Sequence, residues 1–599
     1  MQGDKPVPHR PGRSDGSTGP MLDKGDGRGK LSSPERFREW TRKTMAKQDE
    51  LVFVPLGGVG EIGMNLALYG YGPESKRQWI MVDCGVTFAG PDLPGVDLVL
   101  PDISYIVEQK KNLKGIIITH AHEDHYGAMN DLWPGLNVPV YASPFTAGML
   151  EAKRAYEGTR AEIPVTIFKA GDRINVGPFE IEAVGVNHSI PEPMSLVIRT
   201  PLGNVIHTGD WKIDEAPSLG PLTDEARFRA IGEEGVLALM CDSTNALRDG
   251  VSPSEHEVSE GLRQIIESAE GRVAVTTFSS NVGRIRSIAQ AAEAAGREVL
   301  LLGSSLKRVV NVSQDLGIME GIKPFLAEDE YGYIPRDRVV VILTGSQGEP
   351  RAALAKLSRD EMRNVALASG DTVVFSSRAI PGNEKAIIEI KNGLIEQGVH
   401  IVTDNEALVH VSGHPRRNEL LRMYEWTKPQ ILVPVHGEAA HLVAQKELAE
   451  QAGISQVPKV RNGNVLRLAP GPAEVINDVP HGRVFKDGNL VGDMDEMGIS
   501  NRRKLSFAGH VAVNVVLDSR YDFLGDPDVV PFGLPEFDDE DEAMEDTLYD
   551  AVLGAVESIP RARRKDLALL RESVRRAVRA AANQSWGKKP IVTVFVTKV

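Results

Sequence analysis

Between residues 51 and 210 the apolar positions fall in short runs broken by polar or glycine-rich segments, a pattern that predicts strands with short connections. Leu51-Val52-Phe53-Val54-Pro55-Leu56 opens the series, and Met64-Asn65-Leu66-Ala67-Leu68-Tyr69 alternates as a second strand. Between them Gly58-Val59-Gly60-Glu61-Ile62-Gly63 carries the G-x-G-x-x-G spacing. That spacing marks a dinucleotide loop only where it follows a strand and opens a helix. A second strand follows here, so a β-hairpin with a glycine-rich turn is expected, not a nicotinamide site. Further strands are predicted at 79–83, 115–119, 139–142, 179–186 and 204–208.

Past Asp242-Ser243-Thr244 the rhythm changes to helix alternating with strand: a helix over 282–295 and strands over 298–303 and 338–343. That alternation is the sign of βα units. A strand-like run returns at 430–435, so the chain is expected to re-enter its first domain after an insertion. The last segment ends in a basic helix over 561–582, read as a solvated or packing face, and a strand over 591–596. These shifts predict a disordered extension at 1–45, a first domain at 46–231, an insertion at 232–400, the rest of the first domain at 401–477, and a linker with a C-terminal domain at 478–599.

Residues 1–33 are rich in Gly, Pro, Ser and charge, too polar to offset the entropy of ordering. They lack the apolar core of a signal peptide. Ser33-Pro34-Glu35-Arg36 predicts a helix start, with Pro at the first helical position. A chain of 599 residues exceeds what one core supports and implies several domains. No apolar run approaches the roughly 20 residues of a membrane span. Cys84 and Cys241 are too few for a disulfide framework and fit no zinc-finger spacing, so buried thiols in a reducing cytoplasm are expected. The net charge of −15 argues against indiscriminate coating of nucleic acid. Part of it lies in the acidic run 536–542, read as a solvated linker, and bound cations can supply positive charge inside a cleft.

The chemistry concentrates at predicted strand ends. His120-Ala121-His122-Glu123-Asp124-His125 follows one apolar run; His188, Asp210 and His436 each follow another. Imidazole and carboxylate are ligands that Zn²⁺ or Mn²⁺ accept. Several strands ending in such groups suit a shared metal cleft beside a sheet.

The order H-x-H-x-D-H, His, Asp resembles the metallo-β-lactamase superfamily. The segments 276–281, 344–350, 376–384, His410-Val411-Ser412-Gly413-His414 and 434–438 resemble those of the β-CASP nucleases, in particular the ribonuclease J family, from about Leu51 to the C-terminus. Ala121 and Ala128 depart from that pattern, standing where relatives often carry glycine. The resemblance implies an αββα sandwich with an inserted β-CASP α/β domain and a small α+β C-terminal domain. It implies two divalent ions, Zn²⁺ first with Mn²⁺ or Mg²⁺ as alternatives: His120, His122 and His188 on one, Asp124, His125 and His436 on the other, Asp210 between. Asp124 also counts among the catalytic residues, and His414 is the implied acid, oriented by Asp242. Ser376, Ser377, Arg378, His410, Ser412, Gly413 and His414 are the implied substrate-binding groups, some forming a pocket for a 5′-monophosphate. The expected activity is 5′-to-3′ hydrolysis of RNA, with internal cleavage possible, in messenger decay and ribosomal RNA maturation. A homodimer or homotetramer and degradation-complex partners are further expectations. A DNA nuclease of the same family, a lactonase-like hydrolase and a metal-free RNA-binding scaffold remain the alternatives.

Overall fold

The computed structural model describes residues 48–159, 161–380, 382–538 and 541–599. The expected extension at 1–45 and the helix start at Ser33 lie outside them.

Two sheets face each other in the first domain. One has eight strands, including Glu50–Gly57, Leu66–Gly72, Gln78–Val82 and Leu113–Ile117; the other has six, including Phe179–Gly185, Gly203–His207, Ala238–Asp242 and Ile431–Val435. Glu50–Gly57 and Leu66–Gly72 form the expected hairpin, antiparallel with Gly57 beside Leu66. Alternate residues of each strand point between the sheets: Phe53, Ile80, Val82 and Ile117 meet Leu196, Ile198, Met240 and Val433 in one buried cluster. The opposite faces, such as Val54 and Met81 on one sheet and Ile206 and Leu432 on the other, carry helices. Strands covered on both sides need apolar residues at every position, as Val54 to Leu56 and Ile116 to Ile118 show.

A five-stranded parallel sheet forms the insertion, in the order Glu298–Leu302, Val339–Leu343, Val273–Thr276, Thr372–Phe375, His400–Val402. Ala238–Asp242, within the stretch expected to be inserted, instead pairs in parallel with Gly203–His207 and Ile431–Val435. Its residues are all buried, and only the six-stranded sheet offers both neighbours.

After residue 478 the chain does not run free. Arg483–Asp487 pairs antiparallel with Leu98–Pro101 of the first domain. The C-terminal unit is a three-stranded sheet, Asp528–Phe532, His510–Leu517 and Ile591–Lys598, covered on one face by Met544–Glu557 and Leu567–Trp586. The described residues that flank 539–540 pair within this unit, where a linker was expected: Phe537 bridges to Ala543 and Glu536 O accepts from Met544 N at 3.0 Å. The basic helix is two helices, Arg561–Arg564 and Leu567–Trp586. Asp566 breaks them by capping the second, accepting from Ala568 N and Leu569 N.

Candidate metal centre

Parallel strands deliver their carboxyl ends to one edge of the sandwich, and chain direction alone gathers the site there. In the eight-stranded sheet Val82 pairs with Ile117, so Asp83 and the turn carrying His120 to His125 leave side by side. In the six-stranded sheet Gly203–His207, Ala238–Asp242 and Ile431–Val435 run parallel, so Asp210, Asp242 and His436 emerge on neighbouring paths. His188 follows Phe179–Gly185 at the same edge. Asp83 and His436 take left-handed backbone, φ 63° and 52°, which non-glycine residues adopt at a cost held by the surrounding structure.

The predicted ligands converge. His120, His122, His188 and Asp210 offer atoms within 4.8 Å of one another, as do Asp124, His125, Asp210 and His436. His120 Nε2 and His188 Nε2 lie 3.1 and 3.0 Å from His122 Nδ1. Asp210 Oδ2 lies 3.7 Å from His120, 3.5 Å from His188 and 3.3 Å from His125, while Oδ1 lies 2.8 Å from His436 Nδ1. His436 Nε2 lies 3.2 Å from Asp124. Yet Asp210 Oδ1 and both ring nitrogens of His436 are buried without an aligned hydrogen bond. Buried polar atoms without a hydrogen bond are costly, and a cation between these groups would satisfy them. The donor set fits divalent ions.

Two electrostatic environments share the site. Burial pulls His120 and His188 well below the ordinary imidazole range and His122 to about 4. These rings are neutral at pH 7 and carry free lone pairs. Burial also pulls on His125 and His436, but the carboxylates around them win: Asp210, Asp124 and Asp83 hold His125 well above the usual range, and Asp210 and Asp124 raise His436 to about 10. Without metal these rings are imidazolium, so loading must displace protons. Titrating metal-free protein with Zn²⁺ or Mn²⁺ in weak buffer at pH 7 is therefore expected to release at least about one proton per subunit, followed with an indicator dye. Uptake without acidification would contradict this environment.

Sequence reasoning passed over several supporting residues. Asp83 Oδ2 is 2.7 Å from His125 Nδ1 and accepts from Thr119 Oγ1 at 2.9 Å; Oδ1 accepts from Thr119 N at 2.7 Å. One carboxylate thus orients a ligand and the start of the motif. The signal is present, since Asp83 ends the strand predicted at 79–83. Asn65 Nδ2 reaches Asp124 and His125, and Ser280 Oγ, from the insertion, lies 3.0 Å from His122 Nε2. Asp83→Asn is expected to lower metal affinity about 10–100-fold, read by competition with a chelating dye.

His414 Nδ1 lies 2.8 Å from Asp242 Oδ2 and 3.9 Å from Asp210. Burial lowers its pKa, but these two carboxylates more than compensate, so it stays protonated to higher pH than a free imidazole. Its loop is tied down by Asn245 Nδ2, which donates to Ser412 Oγ at 2.9 Å and to His414 O at 3.0 Å. Gly413 O sits 2.7 Å from His188 Nδ1, which joins this loop to a ligand.

The predicted phosphate handles divide. Ser377 is buried at the end of its strand, and Arg378 is partly exposed and paired with Asp404 at 3.3 Å. His410 is nearly enclosed; burial first, then Arg284 and Arg378, hold it neutral, and its Nδ1 has no hydrogen-bond partner. Ser376 is fully buried, its hydroxyl donating to Val409 O at 2.7 Å and accepting from Arg284 at 2.6 Å. That hydroxyl is committed to the fold, which removes it as a handle for phosphate.

A sandwich with this ligand set, carrying a parallel α/β insertion, defines a metallo-β-lactamase hydrolase with a β-CASP domain. Four family descriptions match the chain: beta-lactamase superfamily domain over residues 78–228, Ribonuclease J, beta-CASP domain over 270–394, Zn-dependent metallo-hydrolase RNA specificity domain over 398–457, and Ribonuclease J C-terminal domain over 497–599. The chain is 80% identical to Ribonuclease J of Sinorhizobium meliloti, an alignment covering 93% of this chain and 98% of that one. It is 36% identical to Ribonuclease J of Corynebacterium glutamicum, covering 90% and 74%, and 36% identical to that of Thermus thermophilus, covering 78% and 83%. The chain belongs to the ribonuclease J family, metal-dependent hydrolases acting on RNA.

Proposed function

We propose that this protein is a 5′-to-3′ exoribonuclease that prefers 5′-monophosphate ends and can also cut internally. The observation that carries this reading is the contact of the 410–414 loop with the ligand cluster, through Gly413 O on His188, with the Arg378 charge felt at His410 in the same loop. Hydroxyl, guanidinium and backbone amide groups bind phosphate oxygens without reading bases. An RNA end held there presents its first linkage to the cluster.

His120, His122 and His188 would hold one ion, Asp124, His125 and His436 the other, with Asp210 between. Two such ions would lower the pKa of a shared water from 15.7 to about 7 and offset charge on the attacking and leaving oxygens. Asp83, Asn65 and Ser280 keep the ligand side chains aimed. His414, its Nδ1 held by Asp242, donates the proton on Nε2 to the departing sugar oxygen. The donor set favours zinc, with Mn²⁺ or Mg²⁺ as alternatives.

The reading extends to messenger decay and ribosomal RNA maturation in the cytoplasm. Both cysteines are buried and free, as in a reducing compartment, and among the described residues no helix is long and apolar enough to cross a membrane. A homodimer or homotetramer fits Phe532 and Phe595, both exposed on the outer face of the C-terminal sheet. Degradation-complex partners belong to the same reading.

The test is one RNA with 5′-monophosphate, triphosphate or hydroxyl, labelled internally, with Mn²⁺ or chelator, alongside a matched DNA. Mononucleotides released from the monophosphate form alone, and lost with chelator, are the expected result. Internal fragments independent of the 5′ group would make it chiefly an endonuclease, and cleavage of the DNA alone would overturn the assignment to RNA.

A further inference from the structure

Among the described residues Arg284 is the most deeply buried arginine: its side chain is 1% exposed and lies in the first turn of the helix Val282–Ala294. All of its reach is used. Nε and Nη2 donate to Glu255 Oε2 at 3.0 and 2.7 Å; Nη1 donates to Ser376 Oγ at 2.6 Å and to Val409 O at 3.1 Å. Glu255 is in turn fixed from the first domain. Its backbone N donates to Asp214 Oδ2 at 2.9 Å, and the same oxygen pairs with Lys212 Nζ at 2.7 Å. Lys212 stands two residues after Asp210.

A buried polar chain therefore runs from the segment carrying Asp210 to the two segments that flank the proposed phosphate cradle. One end is anchored beside the metal ligands, the other at Ser376 and Val409, next to Ser377, Arg378 and His410. Burying an ion pair costs desolvation that a well-packed apolar pair would avoid, so such pairs are weak devices for stability and better suited to fixing geometry. Here the geometry fixed is the span between cradle and ligand cluster.

We propose that Arg284, held by Glu255, is a positioning residue that sets the terminal-phosphate cradle at a fixed reach from the ligand cluster, so that a bound 5′ end advances by one nucleotide. The inference rests on the monophosphate reading above. His414 has its own anchors in Asp242, Asn245 and the Ser252 hydroxyl, which lies 3.4 Å from His414 O. Disturbing Arg284 should therefore move the cradle more than the acid.

The experiment compares kcat and KM on two RNAs of one sequence, 5′-monophosphate and 5′-hydroxyl, for wild type and Arg284→Lys. Lysine keeps the charge beside Glu255 but cannot bond Glu255, Ser376 and Val409 together, because it lacks the planar fork. The expected result is a fall of about tenfold or more in kcat/KM on the monophosphate RNA, mostly in KM, with a change below about twofold on the hydroxyl RNA. If thermal melting shows that Arg284→Lys does not fold, Arg284→Met with Glu255→Leu removes both charges and is read the same way. Equal losses on both RNAs, or an unchanged preference in a variant that melts like wild type, overturn the proposal. A wild type that shows no preference for the monophosphate overturns the parent reading, and this one with it.

Discussion

Asp210→Asn is expected to lower RNA hydrolysis by about three orders of magnitude or more while leaving RNA binding intact. Asp210 alone belongs to all three ligand clusters, with His120, His122 and His188, with Asp124, His125 and His436, and with Asp242, His414 and His436. Its carboxylate is 3% exposed and held well below its usual pKa: burial opposes ionisation, but His125, His436 and His414 outweigh it. The amide has nearly the same shape, so the packing survives. What goes is the negative charge that lets two cations approach each other, and one of two acceptor oxygens. Single-turnover cleavage and filter binding on the same RNA check the split. Parallel loss of binding would mean that Asp210 shapes the RNA groove itself. Retained cleavage would remove the two-metal centre as the source of activity.

The second large effect concerns the proton on His414. His414→Ala is expected to lower kcat by about 10²–10⁴-fold, the usual worth of a positioned general acid. A sulfur in place of the leaving oxygen should recover most of that loss, because a thiolate departs without a proton. Asp242→Asn tests the same group by pH. In wild type Asp242 and Asp210 hold the His414 pKa above the ordinary value against the pull of burial. An acid must carry its proton to act, so activity falls as pH rises through that pKa. Removing the Asp242 charge lowers the pKa, and the alkaline limb of the kcat profile should shift to lower pH. An unmoved limb would assign the alkaline ionisation to another group.

Much of this is legible in the sequence. Strands read from alternation and apolar runs appear close to their expected places: Val339–Leu343 was expected over 338–343, and the helix Val282–Ala294 over 282–295. The glycine-rich turn resolved correctly because residues 64–69 alternate, and alternation is a property of the backbone pleat that needs no tertiary partner. The seven expected ligands also come together, because each follows a run that becomes a strand. The errors have different causes. Ala238–Asp242 reads equally well as the first strand of the insertion or the last of the sandwich, and only its partners decide. Asp566 breaks the basic helix through a cap that outweighs the helical spacing around it. Ser376 looks like a phosphate ligand in sequence, whereas its hydroxyl is spent on Val409 and Arg284.

By itself, then, the sequence determined which residue types stand at which strand ends, and hence the metal chemistry, since local periodicity and side-chain donors are properties of neighbouring residues. The tertiary structure alone decided the second layer: Asp83 on His125, Asn245 under His414, Ser280 on His122, and Arg284 between the insertion and the 409–414 loop. Those pairs are separated by 42, 169, 158 and 125 residues. A hydrogen bond across such a separation leaves no periodic trace in the chain, because it depends on how whole sheets stack and on which strand ends are brought together.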